Sequence, residues 1–133
     1  MRRIVIPLIA LTAVACGGSD SSGPTEAPLN ITSSGIASNT GSTAISIPIG
    51  GRVHYFNKDS VAHTIKASGP QASCDTDLSS GAIAPGGNEL RPPVAQTENC
   101  TLTDSTNAAL TASVSVISAP AGGGGGGGGG SGY

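Results

Sequence analysis

Between residues 29 and 119 the apolar side chains recur at every second position, and that period restricts the chain to strands. Ile45, Ile47 and Ile49 alternate with Ser46 and Pro48, while Val53 and Tyr55 follow Gly50-Gly51. Val61, His63 and Ile65 then alternate with Ala62, Thr64 and Lys66, and Leu110, Ala112, Val114 and Val116 close the series. A period of two sets one face of each strand against a core and the other in water. The breakers Gly69-Pro70 and Ala84-Pro85-Gly86-Gly87 separate the runs, and no stretch sustains a helical period. Short strands spaced about ten residues apart predict an all-β sandwich without crossover helices. Pro92 and Pro93 each remove a ladder donor, which predicts an edge strand at that point.

The flanks carry no such pattern. Met1-Arg2-Arg3, the apolar run Ile4 to Leu11 and the small residues before Cys16 predict a secretory signal peptide over 1–15, too short in its apolar part to span a bilayer. Ala13-Val14-Ala15-Cys16 resembles the lipobox of bacterial lipoproteins, with Ala13 where the usual leucine stands. That resemblance implies lipidation of Cys16, which becomes the mature N-terminus. Gly17 in the next position implies the outer membrane rather than retention at the inner one. The alternative is ordinary A-x-A cleavage at the same bond, leaving Cys16 as a free thiol on a soluble periplasmic protein. Cysteine parity favours lipidation, because without Cys16 the pair Cys74 and Cys100 is even, and such pairs close in an oxidising compartment.

Residues 16–28, rich in Gly, Ser and Pro, read as a flexible tether. Residues 120–133 hold nine consecutive glycines, Gly122 to Gly130, and read as a disordered tail, since glycine has no side chain to pack and loses the most backbone entropy on ordering. In the domain, 29–119, Tyr55 and Phe56 are the only aromatics, so the core must come from Ile, Val, Leu and Ala. A Cys74–Cys100 disulfide would enclose 25 intervening residues and add roughly 3 kcal/mol through loop entropy.

Charge narrows the choice of partners. Only 11% of residues are charged, against roughly 25% in an average globular chain, and no stripe of either sign occurs. Removing Arg2 and Arg3 leaves 4 basic against 8 acidic side chains. Nucleic acid is excluded as a partner on that balance, and the remaining expectations are a membrane contact through the N-terminal lipid, an unidentified protein or envelope ligand, and a monomer. No Ser-His-acid or Cys-His arrangement has local support, and the Gly-rich stretches lack the helix and lysine of a phosphate loop. The chain is not expected to be an enzyme. Asn30-Ile31-Thr32 and Asn99-Cys100-Thr101 fit the glycosylation pattern, but the bacterial-type export signal makes them incidental.

Four segments between Gly50 and Ile117 carry a further likeness: Gly50-Gly51-Arg52-Val53, Phe56-Asn57-Lys58-Asp59-Ser60-Val61-Ala62-His63-Thr64, Ala84-Pro85-Gly86-Gly87, and Cys100-Thr101-Leu102 ahead of Val114-Ser115-Val116. Together they resemble a cupredoxin, the blue-copper family of Greek-key β-sandwiches that includes plastocyanin and amicyanin. The resemblance implies that His63 stands at a copper-ligand position and Cys100 where the thiolate would be. A type 1 site needs two imidazoles and a thiolate, with a weak axial methionine or equivalent. In short-loop members the second histidine comes three residues after the cysteine, which here is Thr103, and Leu110 stands where the axial methionine is expected. His54 lies on a strand and points away from the face shared by Val53 and Tyr55. Asp104 offers a carboxylate to a harder metal only as a remote alternative. A related secreted variant of the family carries an extra cysteine after the histidine strand, as Cys74 does here, and a disulfide to Cys100 excludes a copper thiolate.

The expectation is a lipid-anchored envelope protein whose cupredoxin-like domain has no complete copper site, so no cofactor, with His63 and Cys100 as vestiges. The alternative is a copper-binding periplasmic electron carrier. If Cys16 is the anchor, Cys16→Ser should move the protein from the membrane fraction to the soluble periplasm. An unmodified Cys16 thiol on soluble wild-type protein, read by mass spectrometry, would contradict the anchor.

Overall fold

The computed structural model describes residues 25–119; the signal peptide, Cys16, most of the tether and the glycine tail lie outside the described residues. Nine strands, β1 (Glu26–Thr32), β2 (Gly35–Ser38), β3 (Ala44–Pro48), β4 (Arg52–Asn57), β5 (His63–Ser68), β6 (Ala82–Ile83), β7 (Asn88–Leu90), β8 (Glu98–Asp104) and β9 (Thr111–Ile117), follow in chain order, with one short helical turn at Cys74–Leu78. They form two sheets, ordered β2-β1-β4-β7 and β3-β9-β8-β5-β6. β1 runs parallel to β4 and β3 parallel to β9, while the other pairings are antiparallel.

The alternation read from sequence sorts the side chains between core and surface. Leu29, Ile31, Ile36, Val53 and Tyr55 face inward from one sheet; Ile45, Ile47, Ile65, Leu102, Val114 and Val116 meet them from the other. Tyr55 is the single large aromatic of the core. Its hydroxyl donates to the Leu78 carbonyl at 2.8 Å, giving a buried polar tip the partner it requires. Burial pushes its pKa well above the usual phenol range. Phe56, one residue on, faces outward and is half-buried.

Two boundaries differ from the sequence expectation. β1 takes in Glu26, Ala27 and Pro28, which composition assigns to the tether, because they pair with Arg52, Val53 and His54 of β4. β2 meets β1 only from Leu29 onward, so Pro28 lies where β1 has an open edge and its missing N–H is tolerated. Pro92 and Pro93 lie beyond the edge strand β7 rather than within it, since β7 ends at Leu90. The turn before β7 behaves as its residues dictate: Gly86 has φ 72° after Pro85, and the Gly87 N–H donates to the Ala84 carbonyl at 2.8 Å. Proline followed by a left-handed glycine is the composition of a type II turn.

Cys74 and Cys100 form a disulfide with their Cα atoms 5.6 Å apart. It ties the helical turn to β8 across the end of the second sheet, and both residues are buried. Gly69 makes the approach possible, because a Cβ there would lie 2.3 Å from Cys74 Sγ and 2.8 Å from the Asn99 carbonyl oxygen. Replacing both cysteines with serine should lower the unfolding free energy by about 2–5 kcal/mol, measured by urea denaturation. An unchanged midpoint would show that the cross-link adds nothing to the fold.

Candidate functional site

At the opposite end of β5 and β8 from the disulfide, three ionisable side chains converge. Asn57 prepares the place. It ends β4 with 1% of its surface exposed, and its amide donates to the carbonyls of Val61 at 2.7 Å and Ile83 at 2.9 Å. Its Oδ1 accepts from the Asp59 N–H at 2.9 Å. With both ends of its side chain used, Asn57 shapes the β4–β5 loop and sets Asp59 over the start of β5. Asp59 Oδ2 then lies 3.1 Å from His63 Nε2.

The other face of the imidazole meets Asp104. His63 Nδ1 donates to Asp104 Oδ2, with the histidine 3% and the aspartate 0% exposed. Asp104 Oδ1 accepts the Thr106 N–H at 2.9 Å and the Thr64 N–H at 3.4 Å. The loop from β8 to β9 closes over this pair: the Ser105 N–H donates to the Thr64 carbonyl, the Leu110 N–H to the Asn107 carbonyl, and the Asp104 N–H to the Leu110 carbonyl. Leu110 is 5% exposed and packs into the core.

The electrostatics follow from this enclosure. Burial works against a charged imidazole, but hydrogen bonds and charge from Asp104 and Asp59 outweigh it and raise the His63 pKa above its ordinary 6.5. For Asp104, burial acts upward, and the Thr106 N–H together with His63 outweighs it and holds the carboxyl below its ordinary value. Asp59 is held low first by the Ser60 N–H and then by His63. Carboxylates only accept, so an imidazole bonded to one on each side carries a proton on both nitrogens. Neither nitrogen keeps a lone pair for a metal.

Of the residues singled out from sequence, His63 and Asp104 meet, but Cys100 and Thr103 do not join them. β5 and β8 pair with Ile65 opposite Asp104 and Ser68 opposite Thr101, so Cys100 lies past the far end of β5. Cys100 is six residues along β8 from the level of His63, roughly 20 Å at the strand rise. Placing Cys100 at a thiolate position next to His63 is therefore corrected: the side chain of Asp104, at the end of β8, meets His63 instead, and Cys100 is held in the disulfide. Thr103 is corrected with it, since alternation along β8 turns it to the face opposite Asp104. Three residues after Asp104 comes Asn107, and Leu110 precedes β9. The spacing expected for thiolate, imidazole and axial ligand is thus filled by a carboxylate, an amide and an aliphatic side chain. A donor set of one doubly bonded imidazole without a thiolate does not fit type 1 copper.

His54 lies on the outer face of the first sheet, as alternation implies, but half-buried. Its Nε2 is 3.0 Å from Asn88 Oδ1, its Nδ1 is 3.6 Å from Glu26, and its ring centroid is 4.2 Å from that of Phe56. Beside it, Pro28, Asn30, Asn39, Phe56 and Lys58 line an open groove of about 410 Å³. Lys58 Nζ sits 5.4 Å from the Phe56 ring centre, and Asn30 donates to Asn39 at 2.9 Å. Asp59 escaped the sequence reading as a functional residue, although it stands four residues before His63 in the stretch that carries the family likeness.

No known family profile matches the chain, and no curated protein matches it. Solved structures do resemble it. A purple cupredoxin from Nitrosopumilus maritimus has a TM-score of 0.54 at 19% identity, covering 68% of this chain and 99% of that one. Two oxidised amicyanin variants each give 0.56, one at 9% identity over 69% of this chain and 82% of theirs, the other at 10% over 68% and 81%. The chain has the cupredoxin fold, a Greek-key β-sandwich, with no complete copper site among the described residues.

The clamp sets the pH dependence of stability. A histidine whose pKa is raised in the folded state contributes fully below its ordinary 6.5 and loses that contribution as pH rises through the folded value. The two aspartates, whose pKa values are lowered, contribute above their ordinary 3.8 and lose it as pH falls through the folded values. Wild-type stability should therefore peak between those two ordinary values, and His63→Ala should remove the decline on the alkaline side. Asp104→Ala strands a buried imidazolium and should destabilise the domain by about 3 kcal/mol. Urea titrations across the pH range read both, and a flat wild-type profile would contradict the clamp.

Proposed function

We propose that this protein is a cell-envelope lipoprotein whose cupredoxin-fold domain works without copper, in a structural or binding role rather than in electron transfer or catalysis. The observation that carries this reading is the engagement of both His63 nitrogens by Asp59 and Asp104. An ion pair with a carboxylate on each side replaces the metal as the element that joins the β4–β5 loop, β5 and the end of β8. The lipid anchor rests on the sequence around Cys16, with the segment up to β1 as its spacer. A binding role has a surface available in the groove around Phe56 and Lys58, on the outer face of the first sheet.

Copper titration tests the reading directly. Wild-type protein with Cu(II) should develop no intense thiolate-to-copper band in the visible. The quadruple change Asp59→Ala, Asp104→Cys, Asn107→His and Leu110→Met, which frees His63 and restores the donor types at the spacing the fold provides, should gain copper binding that the wild type lacks. A strong visible charge-transfer band in unmodified protein would reject the reading and establish the electron carrier.

A further inference from the structure

Strand β8 turns four side chains inward, Glu98, Cys100, Leu102 and Asp104. Asp104 is accounted for by His63. Glu98 is not: it is 8% exposed, and its Oε2 lies 3.0 Å from Cys74 Sγ. A disulfide sulfur has no proton to donate, so among the described residues this buried carboxylate has no N–H or O–H partner. A carboxylate only accepts, so without a donor from the chain Glu98 keeps its acceptor capacity for a cation. Next to Cys74, Ser73 holds a buried hydroxyl that also has no partner. Two sulfurs and one carboxylate oxygen, from Cys74, Cys100 and Glu98, lie within 4.8 Å of one another.

We propose that this cluster is a redox-gated metal site: closed as the Cys74–Cys100 disulfide, and on reduction a dithiolate-carboxylate site for a divalent cation of the zinc and cadmium class. The inference is independent of the copper reading, since it lies at the other end of β5 and β8. Thiolate sulfur and carboxylate oxygen are a donor set that zinc accepts, with bonds of about 2.3 Å to sulfur and about 2.0 Å to oxygen in a tetrahedron. Two sulfurs on such an ion stand roughly 3.8 Å apart, so one cysteine must withdraw from the bonded position. Cys74 is the one free to do so. It opens the single helical turn, its N–H reaches the Gln71 carbonyl at a long 3.4 Å, and Ser73 makes no side-chain capping bond. Cys74 Sγ fills the place a side chain on Gly69 would take, and the backbone over it, residues 69–72, is exposed and carries no strand pairing. A water or the Asn99 carbonyl oxygen, 3.9 Å from Cys74 Sγ, completes the four positions.

The gate is thiol–disulfide exchange with a dithiol reductant. One reductant thiolate attacks a disulfide sulfur and forms a mixed disulfide, expelling the other cysteine as thiolate. The second reductant thiol then displaces the mixed disulfide, so the reductant leaves oxidised by two electrons and both cysteines are reduced. Binding of the cation displaces the remaining thiol protons to solvent.

The test uses purified wild-type protein, oxidised or fully reduced, with Cd²⁺ as the probe. The reduced protein should bind one equivalent, with the ultraviolet thiolate-to-cadmium band, and the oxidised protein none. Glu98→Gln, which keeps both cysteines, should weaken Cd²⁺ binding by the reduced form tenfold or more. Reduced protein that regains its β circular dichroism only on adding the cation would also support the site. No cadmium band, equal affinity in Glu98→Gln, or a reduced chain that stays unfolded with cation present would each overturn it.

Discussion

An imidazolium held between two carboxylates is the interaction on which this end of the sandwich depends. His63 begins β5, Asp59 comes from the loop before it, and Asp104 ends β8, so one side chain ties the β4–β5 loop to two strands that the backbone ladder already pairs. The charges are favourable because each remaining acceptor is also satisfied: Asp104 by Thr106 and Thr64, Asp59 by Ser60. A buried pair lacking those bonds would pay a desolvation penalty larger than its attraction. Asn57 stands behind the arrangement, since its three hydrogen bonds define the loop that presents Asp59.

The two ends of β8 solve different problems on the same inward face. At one end Asp104 holds His63; at the other Cys100 is bonded to Cys74 beneath Gly69, with Glu98 alongside. A core built almost without aromatics therefore has a charged fastening at one end and a covalent one at the other. Its middle is Ile, Val, Leu and one Tyr whose hydroxyl reaches the helical turn that carries Cys74.

Much of the fold was legible because a period of two survives substitution: of the series read from sequence, Ile45-Ile47, Val53-Tyr55, His63-Ile65 and Leu110-Ala112-Val114-Val116 are buried as alternation implies, while Ile49 and Val61, just outside β3 and β5, are exposed. The pairing of Cys74 with Cys100 was legible once the lipobox likeness set Cys16 aside, and the family variant with an extra cysteine pointed the same way. Register between distant strands was not. The likeness to copper proteins was counted from Cys100, the only chemically apt residue near the right place, and that count led to Thr103. The hydrogen-bonded register of β5 with β8 starts the count from Asp104 instead and reaches Asn107 and Leu110. Strand register is decided by packing across the sheet rather than by any local signal, so a four-residue error leaves no trace in the sequence. Asp59 was overlooked for a related reason: its role exists only once Asn57 has folded the loop.

Nitrogen-15 NMR of the His63 ring is the most direct measurement of the central claim. At about pH 6, where a free histidine is largely titrating, both ring nitrogens should carry protons with the shifts of N–H groups bonded to carboxylates, and an equivalent of Cu(II) should leave them unbroadened. A neutral ring with one bare nitrogen, or loss of its signals on adding copper, would contradict the clamp.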